Sequence, residues 1–276
     1  MIDGNTLIFA TAGDPVAQVR LPQVMEAVFA ALGVNAVWVP MHVDPDGLGV
    51  VIQGLRTIRN FRGITVAIPY KPTVGALLDR LTPRAQAAGS VNLVRLDPDG
   101  KLLGDIADGA GFVRGLELRG HRVGGATAWL VGVGGGGSAI AAALAEAGVG
   151  RLYLTELNKE RAAAIHKRLA SHYPRTPIAV VDEPPDAVDL AINATPCGLG
   201  PDDPLPFDPA RLSDRTIVCD IIMKPKDTRL LREAQARGLR VHHGHHMLDA
   251  QIPMYLDFLR IPYPDARAVM EISSRA

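Results

Sequence analysis

The chain has only two cysteines, Cys197 and Cys219, in 276 residues. Two cysteines exclude a disulfide framework and fit a reducing, cytoplasmic setting. Charge of one sign is also missing: 29 basic residues balance 29 acidic ones and the net charge is zero. That excludes the electrostatic footprint of a nucleic-acid or anionic-membrane partner. No apolar run approaches the ~18 residues of a membrane span. The start, "MIDGNTLIFATAGDP", has no basic segment ahead of its apolar run and does not read as a secretion signal. No long-period repeat and no low-complexity tail is visible. What remains, 47% hydrophobic and 21% charged residues, is the composition of a soluble globular protein of one large or two medium domains.

Strand and helix signals alternate in the first part. Strands are expected at Thr6–Ala10, Ala36–Val43 and Ile64–Ile68, and helices at Leu21–Leu32 and Leu48–Ile58. Pro22 in the first turn and Gly33 after the last mark the ends of the first helix. A short helical piece follows Lys71. "SVNLVRL" and "KLLGD" flank Asp97-Pro98-Asp99-Gly100 and predict a hairpin. A second unit is expected near Val113, with strands at Thr127–Val131, Arg151–Thr155, Ile178–Val181, Leu190–Asn193, Ile217–Asp220 and Arg240–His242. Six such strands with crossovers predict a doubly wound dinucleotide fold. The fold class is therefore α/β: an N-terminal α/β domain over 1–112, a Rossmann domain over 113–245, and helices over 246–276 that complete the first domain.

The strongest local signal is "ATAWLVGVGGGGSAIAAALAEAG", a strand, a glycine loop and a small-residue helix. Gly132 permits the tight turn, Gly134 lets the backbone approach a pyrophosphate, and Gly135, Gly136 and Gly137 open the helix and let it pack on the sheet. The helix N-terminus then offers N–H groups to phosphate. The next strand ends at Glu156, 24 positions after Gly132. An acid there accepts hydrogen bonds from a ribose 2′-hydroxyl and repels a 2′-phosphate. No arginine directly follows the strand, although Lys159 and Arg161 come soon after. NAD is expected in preference to NADP.

"GITVAIPYKPTVG" places Lys71 just past a strand, between Pro69 and Pro72, which restrict the backbone on both sides. Oxidation of an alcohol needs a hydride acceptor and a group that takes the hydroxyl proton. A dinucleotide supplies the first, and a positioned lysine can supply the second. Asp105, where the hairpin ends, is the candidate carboxylate partner. Asn92 lies where the hairpin starts.

Seven motifs in order, "AGDPVAQ", "TVAIPYK", "AGSVNLV", "GDIADG", "GVGGGG", "INATPCG" and "GHHMLDAQ", resemble those of the shikimate dehydrogenase family from Gly13 to about Gln251. The resemblance implies an N-terminal substrate domain, a Rossmann domain and an active site between them. It implies that Lys71 and Asp105 are the catalytic pair, and that Asn92 and Gln251 hold ring hydroxyls. It also implies that the loop of Asn193, Ala194 and Thr195 borders the nicotinamide. The substrate is expected to be a cyclic polyol such as shikimate, quinate or a relative. Nothing in the sequence reveals an oligomeric state.

The chain departs from the family where a substrate carboxylate is held. Val19 and Leu21 stand at two serine positions, and Met223 stands at a tyrosine position. Thr65 and Ala67 replace an asparagine and a threonine. A carboxylate against Val19, Leu21 and Met223 would be desolvated without compensation. Either Arg20 pairs with the acid, or the substrate lacks a carboxylate at that end, as a less acidic cyclic alcohol does. A non-catalytic sensor of a ring acid or dinucleotide is the competing class, and a retained Lys71 and Asp105 argue against it. "HHGHH", His242–His246, resembles a metal cluster but lacks the spacing and partners of a zinc site, so no metal is expected. Cys197 lacks an evident base. "EPPD" and "GPDDPLPFDP" read as solvated loops.

Overall fold

The computed structural model describes residues 2–185 and 187–276. The chain forms two compact units, Met1–Ala107 with Gln251–Ala276, and Asp108–Ala250. The expected division at 112/113 thus lies at 107/108, and the return to the first unit lies at 250/251 rather than 245/246.

In the first unit, β1 (Leu7–Gly13), β2 (Ala36–His42) and β3 (Phe61–Val66) pair in parallel around β1. Between them run α1 (Leu21–Leu32) and α2 (Leu48–Leu55). The α1 boundaries match the punctuation in the sequence: Pro22 lies in its first turn, and Gly33 caps its end with φ 65°. β4 (Arg80–Leu81) and α3 (Pro83–Ala88) come next, followed by the hairpin strands β5 (Leu93–Leu96) and β6 (Leu102–Asp105). The sheet order is β2-β1-β3-β5-β6-β4. β3/β5 and β5/β6 are antiparallel, and β4 pairs in parallel with β6. Gly104 allows that last pairing, because a Cβ there would lie 2.5 Å from a methyl of Leu78. Phe9, Phe29 and Trp38 cluster in the core on one side of the sheet.

The second unit opens with α4 (Asp108–Leu118). It then alternates β7 (Thr127–Val131), α5 (Gly135–Glu146), β8 (Arg151–Thr155) and α6 (Lys159–His172). β9 (Ile178–Val180), β10 (Leu190–Asn193), β11 (Ile217–Asp220), α7 (Arg229–Ala236) and β12 (Arg240–His242) follow. The order β12-β11-β10-β7-β8-β9 is parallel throughout. Counted from β7 it reads 3-2-1-4-5-6, the doubly wound dinucleotide order. Gly109 brings α4 against α5: a Cβ there would lie 2.0 Å from the Ala139 carbonyl oxygen. Hence the whole of α4 belongs to this unit. The chain ends with α8 (His245–Leu259) and α9 (Ala266–Arg275), and α9 packs on α1. Among the described residues no helix is long and apolar enough to cross a membrane. Asp186, the last residue of "EPPD", lies outside the described residues.

Candidate active site

Backbone bonds at one end of the first sheet bring the expected catalytic positions together. The carbonyl of Lys71 accepts from Val91 N at 2.8 Å, Asn92 N donates to the Asp105 carbonyl at 3.0 Å, and Val66 N donates to the Asn92 carbonyl at 2.9 Å. The turn carrying Lys71 is anchored by Tyr70, whose buried hydroxyl donates to the Val43 carbonyl. Lys71 itself is half-buried, whereas the Asp105 carboxylate is only 1% exposed. A carboxylate so deep must be hydrogen-bonded. Thr82 Oγ1 donates to its Oδ1 at 2.5 Å, Arg84 Nε donates to Oδ1 at 3.0 Å, and Arg84 Nη2 donates to Oδ2.

Asn92 and Gln251 are linked through Tyr255. Ala107 N donates to Asn92 Oδ1 at 3.0 Å, Asn92 Nδ2 donates to the Tyr255 hydroxyl at 3.4 Å, and that hydroxyl donates to Gln251 Oε1. All three side chains are buried. Tyr255 was not among the expected residues. It lies four positions after Gln251 on α8, on the same helix face, and that spacing is the signal that could have found it. Arg84 had no local signal, since Asp105 is 21 residues away.

Thr65 faces inward. Its hydroxyl is 2.7 Å from that of Thr11, which accepts from Trp38 Nε1 at 2.7 Å. The hydroxyl that stands where the family has an asparagine is thus committed to an internal network. Leu21 is buried as the first residue of α1, and Val19 is half-buried in the preceding turn. This segment follows β1, whose Gly13 abuts Ala67 and Ile68 ahead of Lys71. Arg20 is half-buried and makes no side-chain hydrogen bond or ion pair among the described residues.

In the second unit, Gly132 turns the chain with φ 91° at the end of β7. A Cβ at Gly132 would meet the Ala194 carbonyl oxygen at 2.9 Å, and one at Gly137 would meet the Gly132 carbonyl oxygen at 2.1 Å. Both glycines are therefore required for the loop to fold back on α5. Nothing lies within 4 Å of a Cβ built at Gly134, the N-cap of α5, and no side chain caps that helix. An uncapped helix start behind open space at Gly134, with Gly135 and Gly136 in the first turn, fits a pyrophosphate.

Glu156 binds this loop: Val133 N donates to its Oε2 and Asn158 N to its Oε1, both at 3.0 Å, and Arg161 Nη1 is 3.5 Å from Oε2. Burial pushes its carboxyl up, but the Asn158 and Val133 N–H groups and Arg161 outweigh that and hold it below its ordinary range. Lys159 pairs with Asp182. Both basic side chains that could hold a 2′-phosphate are thus paired with acids, and Leu157, directly after Glu156, is 95% exposed.

Asn193 is fully buried and its bonds are all internal. Nδ2 donates to the Cys197 carbonyl at 3.1 Å and to Asp220 Oδ1 at 3.2 Å, while Oδ1 accepts from Thr195 N at 3.0 Å and Thr195 Oγ1 at 2.7 Å. Both donors and both acceptor sites are used. Asn193 and Thr195 therefore shape the loop that leans on Gly132, with no capacity left on Asn193 for direct contact with a cofactor. Asp220 also accepts from Thr228 Oγ1 at 2.8 Å and Ile222 N at 3.0 Å, and its burial raises its carboxyl. Met223 is half-buried, three residues beyond β11.

His242 and His246 are buried, their Nδ1 atoms 3.4 Å apart. Burial, with His121, Arg119 and neighbouring histidines adding to it, lowers His242 to about 3. Burial and the histidines around it lower His246 to about 2. Among the described residues no group of three or more His, Cys, Asp or Glu is arranged to hold a metal. Cys219 is buried, and burial followed by Asp220 pushes its thiol up, which leaves it inert.

A doubly wound unit with an open glycine loop, in one chain with a unit that gathers a lysine, a carboxylate and buried amides, defines an NAD(P)-dependent oxidoreductase acting on a carbinol carbon. The profile of the shikimate dehydrogenase substrate binding domain matches residues 11–94. The chain is 39% identical to the shikimate dehydrogenase (NADP(+)) of Rubrobacter xylanophilus over 90% of its length and 88% of the relative's. It superposes on the shikimate dehydrogenase of Aquifex aeolicus with a TM-score of 0.89 at 29% identity, covering 100% of both chains. It also superposes on the 5-ketofructose reductase of Gluconobacter sp. strain CHM43, with a TM-score of 0.87 at 26% identity over 99% of each. The chain belongs to the shikimate dehydrogenase family.

Proposed function

We propose that this chain is an NAD-dependent dehydrogenase whose substrate is a polyhydroxylated ring or sugar ketone with no carboxylate at the end that meets Val19 and Leu21. The first unit binds that substrate and the second binds the dinucleotide. When bound, the dinucleotide supplies the hydride acceptor or donor. In the oxidative direction the carbinol C–H bond gives up its hydride and Lys71 takes the hydroxyl proton. In the reductive direction the Lys71 ammonium gives that proton to the carbonyl oxygen. Asp105 orients Lys71 and the reacting hydroxyl, while Asn92 and Gln251, linked through Tyr255, read further hydroxyls.

The observation that carries this reading is the contrast inside one unit. The hydroxyl-facing groups are present and interconnected, whereas Leu21 is buried and Val19 half-buried where the family places serines. The likeness to a 5-ketofructose reductase supports a substrate without an acid. The proposal of NAD rests on Glu156, exposed Leu157 and the pairing of Lys159 and Arg161 with acids. In this it differs from the Rubrobacter relative, which is named for NADP(+). A second reading keeps shikimate as substrate, with half-buried Arg20 free to pair with its carboxylate.

The test is a panel of shikimate, quinate, inositols and 5-ketofructose, followed at the nicotinamide absorbance in wild type, Lys71→Ala and Asp105→Asn. Turnover of one uncharged substrate above both acids, and a loss of about 100-fold or more in each variant, is expected. Near-normal turnover in either variant removes the catalytic pair. A preference for shikimate that is lost in Arg20→Ala selects the second reading.

A further inference from the structure

A cavity of about 790 Å³ lies in the first unit, and none of Lys71, Asn92 and Gln251 lines it. Its walls carry three arginines from three elements: Arg80 of β4, Arg95 of β5 and Arg260, directly after α8. All three turn to one buried acid. Arg95 Nε donates to Asp97 Oδ1 at 2.7 Å, Arg80 Nη2 donates to Oδ2 at 2.9 Å, and Arg260 Nη2 stands 3.6 Å from Oδ1. The hydrogen bond from Arg95 holds the Asp97 carboxyl below its ordinary range against its burial. The other acids nearby leave the surplus charge in place. Asp79 is taken by Arg56 at 2.9 Å and by Leu102 N at 2.7 Å, while Asp99 is exposed, 3.8 Å from Arg80 and close in sequence to Lys101.

Each guanidinium has five N–H groups. Arg95 uses Nε on Asp97 and Nη1 on the Phe258 carbonyl. Arg80 makes one side-chain hydrogen bond, and the Arg260 head makes none among the described residues. Their side chains are 49% and 63% exposed, so the remaining donors are accessible. Arg260 is also the one non-glycine residue with positive φ among the described residues, at 58°. A glycine would end that helix with less strain, so the turn alone does not call for an arginine. Leu78, Leu81 and Leu103, all half-buried, line the same space and give it an apolar side.

We propose that this cavity is a binding site for a phosphate monoester with an apolar body, its phosphate bridging Arg80 and Arg260 and its body resting on the three leucines. A carboxylate is filled by one guanidinium fork, whereas a phosphate ester presents three oxygens and up to two charges to two forks at once. Heads that share the Asp97 carboxylate are close enough to share a phosphate.

The test is calorimetry on the full chain, with NAD saturating so that the glycine loop is filled, using phenyl phosphate, benzoate and inorganic phosphate as probes. Phenyl phosphate should bind once per chain. Benzoate, with one charge, and inorganic phosphate, with no ring, should each bind about 10-fold more weakly. Arg80→Gln and Arg260→Gly should each weaken phenyl phosphate by roughly 10- to 100-fold, the worth of a hydrogen bond between charged groups. Because Arg260→Gly relieves the positive φ, its thermal midpoint should not fall, and lost binding at full stability separates a ligand site from a structural ion-pair network. No binding of phenyl phosphate at millimolar concentration, benzoate as tight as phenyl phosphate, or an affinity within twofold of wild type in either variant overturns the proposal.

Discussion

Lowering the pH from 7.5 to 5 should destabilise the second unit selectively, because His242 and His246 are buried there as neutral rings. Their folded values of about 3 and about 2 lie below the ~6.5 of a histidine in an unfolded chain. The unfolded state therefore binds more protons throughout the window between. Stability from this source is fully present above pH 6.5 and is lost as pH falls toward 3. At pH 5 each ring contributes a loss of about 2 kcal/mol, so the pair contributes about 4 kcal/mol, a large share of a typical 5–15 kcal/mol. Asp97 and Asp203 are held low and act only below the ordinary Asp range, while half-buried His121 adds to the loss and Asp220, whose carboxyl is raised by burial, offsets part of it. The chain has two tryptophans, Trp38 in the first unit and Trp129 in the second. In a Trp38→Phe background, the urea midpoint read from Trp129 fluorescence should fall by roughly 2 M between pH 7.5 and 5. With His242→Gln and His246→Gln together, the midpoint at pH 7.5 should drop, but its dependence on pH should flatten. An unchanged wild-type midpoint, or the same pH dependence in the double variant, would refute the reasoning.

Two further outcomes are expected from the same structure. NAD should give the higher kcat/KM than NADP, and Glu156→Ala should narrow the preference by freeing Arg161; a wild-type preference for NADP would show that the end of β8 has been misread. Val19→Ser with Leu21→Ser should raise kcat/KM for shikimate by roughly 10- to 100-fold, the worth of a hydrogen bond to a charged group, and should not help an uncharged polyol; no gain for shikimate would mean that this turn does not face a carboxylate.

The elements that were legible in the sequence are those with local punctuation. α1 begins and ends where Pro22 and Gly33 place it, and the hairpin turns where Gly100 adopts φ 77°. Four of the five Rossmann strands after β7 are short apolar runs between breakers whose limits agree with the structure, and β9 ends one residue earlier than expected, at Val180. β4 was not legible, since two residues have no periodicity. Nor was the start of β3, expected at Ile64 but found at Phe61, because Arg62 and Gly63 interrupt its apolar run. The unit boundary moved by five residues because the contact of Gly109 with Ala139 is tertiary. For the site, Lys71, Asn92, Asp105 and Gln251 were legible from residue type and motif. Their supports were not, because Arg84 meets Asp105 across 21 residues and Tyr255 meets Asn92 across 163.

The two outer strands of the first sheet bear on behaviour outside the reaction. β4 is two residues long and carries an arginine, and β2 at the opposite margin contains Pro40, which has no N–H to offer. Each margin is thus a poor template for a further strand, whether from another copy or from a partly folded neighbour. The brevity that hid β4 from sequence reading also blunts the margin next to the strand that ends in Asp105. A redesign that lengthened β4 or replaced Pro40 with valine would trade that protection for sheet continuity, and light scattering during refolding would be the first property to change.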